Sequence, residues 1–229
     1  MKSPMFTVIL ATCDDELALA QALSALVPAA TEGLVRDVIV VDGGSRDGTL
    51  TVADVAGCAV VTEAEGGIPA AVDLARADWL LFLSPSGVLA PDWPAEALGF
   101  VDRAVLSGKG RASAAVFRYG RIEPGIKARL AELAARMRSR LFMAPHAEQG
   151  LLLSRAFYRA LGGYRGTGDV ASADMARRIG RLRLTLLRTR AMVRAPHHAG
   201  GFAARMRRAA GLALLVLRLP AGIASRVSG

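Results

Sequence analysis

The stretch IVVDGGSRDGT, residues 39 to 49, constrains the fold more than any other segment of the chain. An apolar run short enough for one strand ends on an acid, Asp42. A Gly-Gly pair follows, and Ser45, Arg46 and Asp47 lead into a helical segment. Such a joint belongs to an open α/β sheet, where ligands bind in the crevice outside the carboxyl ends of the strands. At that edge Asp42 can accept hydrogen bonds from a base or a ribose, and Gly43 lets the backbone turn sharply beside it. Read for structure alone, the same residues are a strand-to-helix loop with a good N-cap.

The pattern recurs along the chain. FTVILA (6 to 11), VIVV (38 to 41), CAVVT (58 to 62) and WLLFL (79 to 83) read as strands. Helices are expected over about 15 to 26, with Leu19, Leu23, Leu26 and Val27 near one face, and over 48 to 56 and 93 to 105. GGIPAAVDLARA reads as a Gly-rich loop entering a helix with Pro near its first turn. SPSGVLAPDW reads as loop. Fully apolar strands alternating with helices predict a parallel sheet covered on both faces.

Beyond residue 107 the pattern loosens. ASAAVFRYG (112 to 120) and QGLLLS read as strands, and RAFYRAL as a short helix ended by Gly162 and Gly163. Helices are expected at 126 to 142, 171 to 180 and 201 to 218. The predicted organisation is a first half (1–106) and a second half (107–200) of one domain, followed by a basic amphipathic helix within 201–229.

The charge divides at the same place. The net charge of +9 conceals a first hundred residues at −10 and a remainder at +19. A basic zone suits anionic lipid, nucleic acid or a diphosphate. No aromatic interleaving or reading motif accompanies it, so nucleic acid is not an expected partner. Arginines 205, 207, 208 and 218 beside Leu212, Leu215 and Leu219 suit a helix lying on an anionic membrane surface. The apolar run 209 to 217 would rise only about 13.5 Å as a helix, short of a ~30 Å bilayer core. FTVILA is short for a signal-peptide core. The expected location is cytoplasmic, peripheral on the inner membrane face. Cys13 and Cys58 lack metal-ligand spacing and read as small buried thiols in a reducing compartment.

Dinucleotide binding would need G-x-G-x-x-G after the first strand, where this chain has ATCDDE. Three acids suit a helix N-terminus but repel a pyrophosphate. In order, VILATCDDE, VIVVDGGSRDGT, ARADWLLFL, EQGLLLSRAFYRALGGY and ADMARRIGRL resemble bacterial family 2 glycosyltransferases, over about residues 6 to 195. The resemblance implies a GT-A fold: a Rossmann-like, mostly parallel sheet with helices on both faces, here with a basic helical C-terminal extension. It also implies a nucleotide-diphosphate sugar as donor and inverting transfer to an acceptor hydroxyl. It places Thr12, Asp14, Asp15, Asp42 and Gly43 at the nucleotide, and Glu148 near the acceptor.

Three positions depart from the family pattern. Ser84, Pro85 and Ser86 stand where the family has D-x-D holding a divalent metal. Hard cations want charged oxygens, so Mg or Mn is not expected to bind tightly; Ser84 and Ser86 read either as turn residues or as phosphate contacts. Aligning Arg177, Arg178 and Ile179 on the family's basic run puts Ala171 and Ser172 where a Glu-Asp pair supplies the catalytic base. Asp174 is the nearest carboxylate, but a helix turns about 100° per residue, so it points away from Ser172 and could serve as the base only if the helix starts later or shifts; its competing role is an i,i+4 salt bridge with Arg178. The loop EAEGGIPAA lacks the Arg and Asn that related enzymes carry. Two readings stay open. One is a metal-independent transferase, with Arg165, Arg177, Arg178, His197 or His198 stabilising the leaving diphosphate. The other is a transferase fold without chemistry, acting as a membrane-associated binding or scaffold protein.

Overall fold

Four apolar segments at one end of the sheet pair as predicted: β1 (Phe6–Thr12), β2 (Val35–Asp42), β3 (Ala59–Thr62) and β4 (Trp79–Leu83). β1 lies between β2 and β4, β3 flanks β2, and all these pairs are parallel. The computed structural model describes residues 5–121, 147–166 and 168–193. The helices expected at 126 to 142 and 201 to 218, with His197 and His198, lie outside the described residues.

Helices α1 (Glu16–Thr31), α2 (Thr49–Val55) and α3 (Gly67–Leu74) connect these strands. They are followed by β5 (Gly87–Leu89), α4 (Trp93–Leu106), β6 (Ala114–Arg121), β7 (Leu151–Ser154), α5 (Arg155–Ala160), α6 (Gly168–Ile179) and β8 (Leu184–Val193). Among the described residues the strands form one eight-stranded sheet in the order β3-β2-β1-β4-β7-β6-β8-β5.

The sheet is mixed, with parallel pairs in the majority. β7 runs antiparallel to β4 and β6, and β5 runs antiparallel to β8, whereas β6 and β8 are parallel. An apolar strand needs both faces covered whichever way its neighbour runs, so composition did not separate the two arrangements.

Two side-chain layers hold the sheet. Phe6, Val8 and Leu10 of β1 and Trp79, Leu81 and Leu83 of β4 pack on one face with Leu19 and Leu26 of α1 and Trp93 and Phe100 of α4. Ile9 of β1 and Leu80 and Phe82 of β4 point to the other face, against Ile68 and Val72 of α3 and Met175 and Ile179 of α6. This alternation is the two-residue period of a strand. Thr7 is buried within that pattern; its hydroxyl donates to Asp37 and accepts from the Ala77 amide.

Several local expectations need correction. Helix α1 continues through Pro28 to Thr31 and buries Leu19, Ala22, Leu26 and Ala29, while Val27 faces solvent. The Ser-Pro-Ser-Gly loop turns directly into β5 at the far edge of the sheet. Strand β8 was not foreseen, because Arg188 and Arg190 interrupt its apolar residues and a bulge breaks its alternation. Val116 pairs with Leu186, but Arg118 pairs with Arg190, so β8 holds two extra residues there. The Glu96 carboxylate of α4 accepts the freed amides of Arg188 (2.7 Å) and Thr189 (2.6 Å). Cys13 is exposed rather than buried, and Cys58 is half-buried.

Candidate functional site

The parallel strands β3, β2, β1 and β4 end at one edge, and the loops leaving them build the site. Acids and hydroxyls lace the first two loops together. Asp42 is 3% exposed. Its carboxylate accepts the Gly44 amide (3.0 Å), the Ser45 amide (3.1 Å) and the Ser45 hydroxyl (2.6 Å). That hydroxyl accepts the Asp14 amide, and the Asp14 carboxylate accepts the Arg46 amide at 2.7 Å. Asp14 has a φ of +53°, a conformation Asp tolerates better than most residues. Asp47 accepts the Glu16 amide at the start of α1, and Glu16 accepts the Gly48 amide at the start of α2. The two helix N-termini are thus tied together by acids, Asp47 from the loop before α2 holding the start of α1 and Glu16 of α1 holding the start of α2.

Above these loops lies a cavity of about 280 Å³. Crossing the sheet edge from β3 to β4, its rim is formed by Glu63, Gly43, Thr12 with Asp15, and Ser84. One carboxylate oxygen of Asp15 accepts the Cys13 amide and the Thr12 hydroxyl, both at 3.3 Å. The floor is apolar, from Ile9, Val41, Phe82 and Val116. The far wall is one face of α6, where Gly168, Ser172 and Ala176 recur every four residues. Tyr164 completes that wall. Its hydroxyl bonds to Ser172, its ring meets Phe82 edge-on at 5.1 Å, and burial pushes its phenol well above the usual range.

The structure therefore brings Thr12, Asp15, Gly43 and Ser84 into one cavity. Asp14 and Asp42 support the rim from behind through the loop hydrogen bonds and do not line it. Ser86 hydrogen-bonds Ser84, oxygen to oxygen at 2.9 Å, within a turn closed by the Gly87 amide on the Ser84 carbonyl. Asp174 sits on the side of α6 away from the cavity and is 1% exposed. Arg178 Nε donates to it at 2.8 Å and Arg177 lies 3.6 Å away, so the i,i+4 salt bridge is formed. Arg178 also donates to the Leu161 carbonyl at 2.6 Å.

Glu148 is half-buried in the short turn Ala147–Gln149, whose neighbours Ala147 and Gly150 line the cavity. The turn is anchored by Gln149, which donates to the Phe117 carbonyl at 2.9 Å. A β-carbon at Gly87 would strike the Glu148 carbonyl oxygen, so β5 can approach only as glycine. Among the described residues lining the cavity there is no Lys, Arg or His. The charge that is present is negative. Desolvation, then Asp14, Asp42, Asp15 and Asp47, push the Cys13 thiol above its ordinary pKa.

Sequence reasoning did not single out Glu63 or Tyr164 as cavity residues, whereas the resemblance had put Ser172 at the position of the family's catalytic pair. A signal for Glu63 existed: it is the first residue after β3, the position Gly43 occupies after β2. Tyr164 closes the EQGLLLSRAFYRALGGY segment, but only its packing against Phe82 and Tyr158 brings it to the cavity.

Comparison with known proteins follows the same lines. Residues 7–145, more than half of the chain, match the family model described as Glycosyl transferase family 2. The fold is similar to crystal structures of glucosyl-3-phosphoglycerate synthase from Mycobacterium tuberculosis. The complex with UDP gives a TM-score of 0.64 at 20% identity, covering 95% of this chain and 81% of that one. The complex with Mg2+ and UDP gives 0.66 at 19% identity, covering 95% and 80%. The complex with Mn2+, UDP-glucose and phosphoglyceric acid gives 0.63 at 19%, covering 95% and 81%. No curated protein sequence matches the chain significantly.

Proposed function

The chain belongs to glycosyl transferase family 2, and from that premise we propose that it binds a nucleoside diphosphate sugar in this cavity and transfers the sugar, with inversion, to an acceptor hydroxyl. The observation that carries the reading is the continuous cavity over four strand ends, from Glu63 past Gly43 and Asp15 to Ser84. Three strand intervals span about 14 Å, room for a nucleoside at the β3 and β2 side with its phosphates toward β4. The structural neighbours, crystallised with UDP, support the same use of the fold.

The donor set argues against a tightly held cation. At the end of β4 the oxygens are two neutral hydroxyls already bonded to each other. A hard dication prefers charged oxygen ligands. The fit is poor, and the transfer is assigned to the protein's own groups.

A second reading is favoured by one observation. Asp174 is committed to Arg178, and Ala171 and Ser172 replace the pair that would take the acceptor proton. On that reading the chain binds the donor without turning it over, as a scaffold or partner subunit. Calorimetric titration with UDP and GDP, with and without Mn2+, tests binding and metal dependence together. Absence of binding by any nucleotide overturns the enzyme reading, and tight binding only with Mn2+ overturns the metal argument. Binding of a nucleotide sugar without release of nucleoside diphosphate, with or without acceptor, selects the scaffold.

A further inference from the structure

Resting on the nucleotide-binding reading, we infer that Glu63 reads the nucleobase and that it selects guanine. The spatial order along the rim assigns the parts. Phosphates belong at the β4 end, where Ser84 supplies hydroxyl and loop backbone and no carboxylate intrudes. The ribose then falls at Thr12, Asp15 and Gly43, and the base extends toward β3, where Glu63 stands.

Glu63 is held for that role by its surroundings. It opens the short 3₁₀ turn Glu63–Glu65, whose backbone is pinned by a capping box between Thr62 and Glu65. The Glu65 carboxylate accepts the Thr62 amide at 2.8 Å, and the Thr62 hydroxyl accepts the Glu65 amide at 3.3 Å. The Glu63 carboxylate folds over Gly67 at the start of α3. A β-carbon at Gly67 would lie 2.7 Å from it, and the φ of +57° there suits glycine. The Glu63 carboxylate, unlike those of Asp14, Glu16, Asp42 and Asp47, accepts no hydrogen bond and makes no ion pair among the described residues; only its backbone carbonyl is engaged, by the Gly66 amide at 3.2 Å. Glu63 is among the residues lining the cavity, and its carboxylate accepts no hydrogen bond from the described residues.

An ionised carboxylate only accepts, through two adjacent oxygens. Guanine matches it: N1–H and N2–H point the same way along one edge and fill both oxygens. Uracil offers a single N3–H between two carbonyl oxygens, and those oxygens would face the carboxylate oxygens. Cytosine and adenine each offer one amino group beside a ring-nitrogen acceptor. A bidentate pair of this kind discriminates between bases by roughly tenfold to a hundredfold.

The test titrates the full chain with GDP, UDP, CDP and ADP, and repeats the series on Glu63→Gln. Because the Glu63 side chain makes no hydrogen bond or ion pair to the described residues and its backbone bond to Gly66 is untouched, the substitution is expected to leave stability unchanged. Glu32→Gln, at the opposite end of α1, controls for the loss of one negative charge. The expected result is GDP bound at least about tenfold tighter than UDP. In Glu63→Gln the preference collapses or reverses, since an amide both donates and accepts and so complements uracil. Glu32→Gln keeps the wild-type preference. UDP bound as tightly as GDP by the wild type overturns guanine selection. A GDP preference unmoved in Glu63→Gln, or lost equally in Glu32→Gln, overturns the role of Glu63. Failure of every nucleotide to bind is distinct from these, and overturns the transferase reading and this inference with it.

Discussion

Asp42, Asp15 and Asp174 are three acids of one chain, and their neighbours separate their roles. Asp42 holds the Gly44 and Ser45 amides and the Ser45 hydroxyl. Asp42→Ala is expected to lower stability by about 1–3 kcal/mol in urea unfolding and to weaken nucleotide binding indirectly, through Gly43. Asp15 keeps one oxygen for the cavity, so Asp15→Asn is expected to leave the unfolding midpoint almost unchanged. Its nucleotide affinity should fall roughly tenfold or more, the worth of a hydrogen bond to a charged group. Equal loss of stability in both variants would contradict this division. Asp174→Asn leaves the Arg178 guanidinium, only 15% exposed, without its counter-charge. That is expected to cost about 3 kcal/mol or more, with nucleotide affinity of the folded protein unchanged. A stable Asp174→Asn protein that binds the donor yet loses turnover would return Asp174 to the chemistry. The sequence named the rival pairing of Asp174 because i,i+4 spacing is a local property of a helix. The loop role of Asp42 depended on how a Gly-Gly turn folds back on its own carboxylate.

At the level of elements, the clamp between α4 and β8 joins side chain and backbone more than ninety residues apart. Glu96 accepts two amides of the β8 bulge and the Thr189 hydroxyl, which also lies 2.9 Å from Asp92. Burial works to raise the Glu96 pKa, but the bonds from Arg188 and Thr189 prevail and hold it below the ordinary value. The sign follows from linkage. A carboxyl with a lowered folded pKa adds stability above its unfolded value of about 4.3, and that stability is lost as pH falls through the folded pKa. Glu96→Gln is therefore expected to be less stable than wild type at neutral pH, with the gap closing below about pH 4 in urea or thermal unfolding. A gap of constant size across that range would rule out the charged clamp. Strands β1 to β4 were legible because each is a single apolar run bounded by turn residues. Strand β8 was not, because its amides are satisfied by an acid ninety residues earlier in the chain.

Across the whole molecule, charge is distributed unevenly, and the described part carries an acidic rim. Bound ligand should stabilise the fold by mass action, about 2.7 kcal/mol at a hundred times its Kd, which thermal unfolding reads directly. The arginines at 205, 207, 208 and 218 lie outside the described residues, and no described helix is long and apolar enough to cross a membrane. If those arginines meet an anionic surface, the full chain sediments with anionic vesicles at low salt and is released as the Debye length shrinks from about 10 Å at 0.1 M to 3 Å at 1 M. Failure to sediment at low salt removes that reading. The sequence alone determined the strand-turn-helix joints and the family, since both are written in contiguous segments. It also determined the absence of carboxylates at Ser84, Ser86, Ala171 and Ser172. Only the tertiary structure decided that the sheet is mixed and that Glu63 and Tyr164 share a cavity with Asp15. The physical reason is that a side chain's neighbours across a sheet are set by strand order and by how each helix is rotated against it. Those are products of packing between segments far apart in the chain, which no single segment encodes.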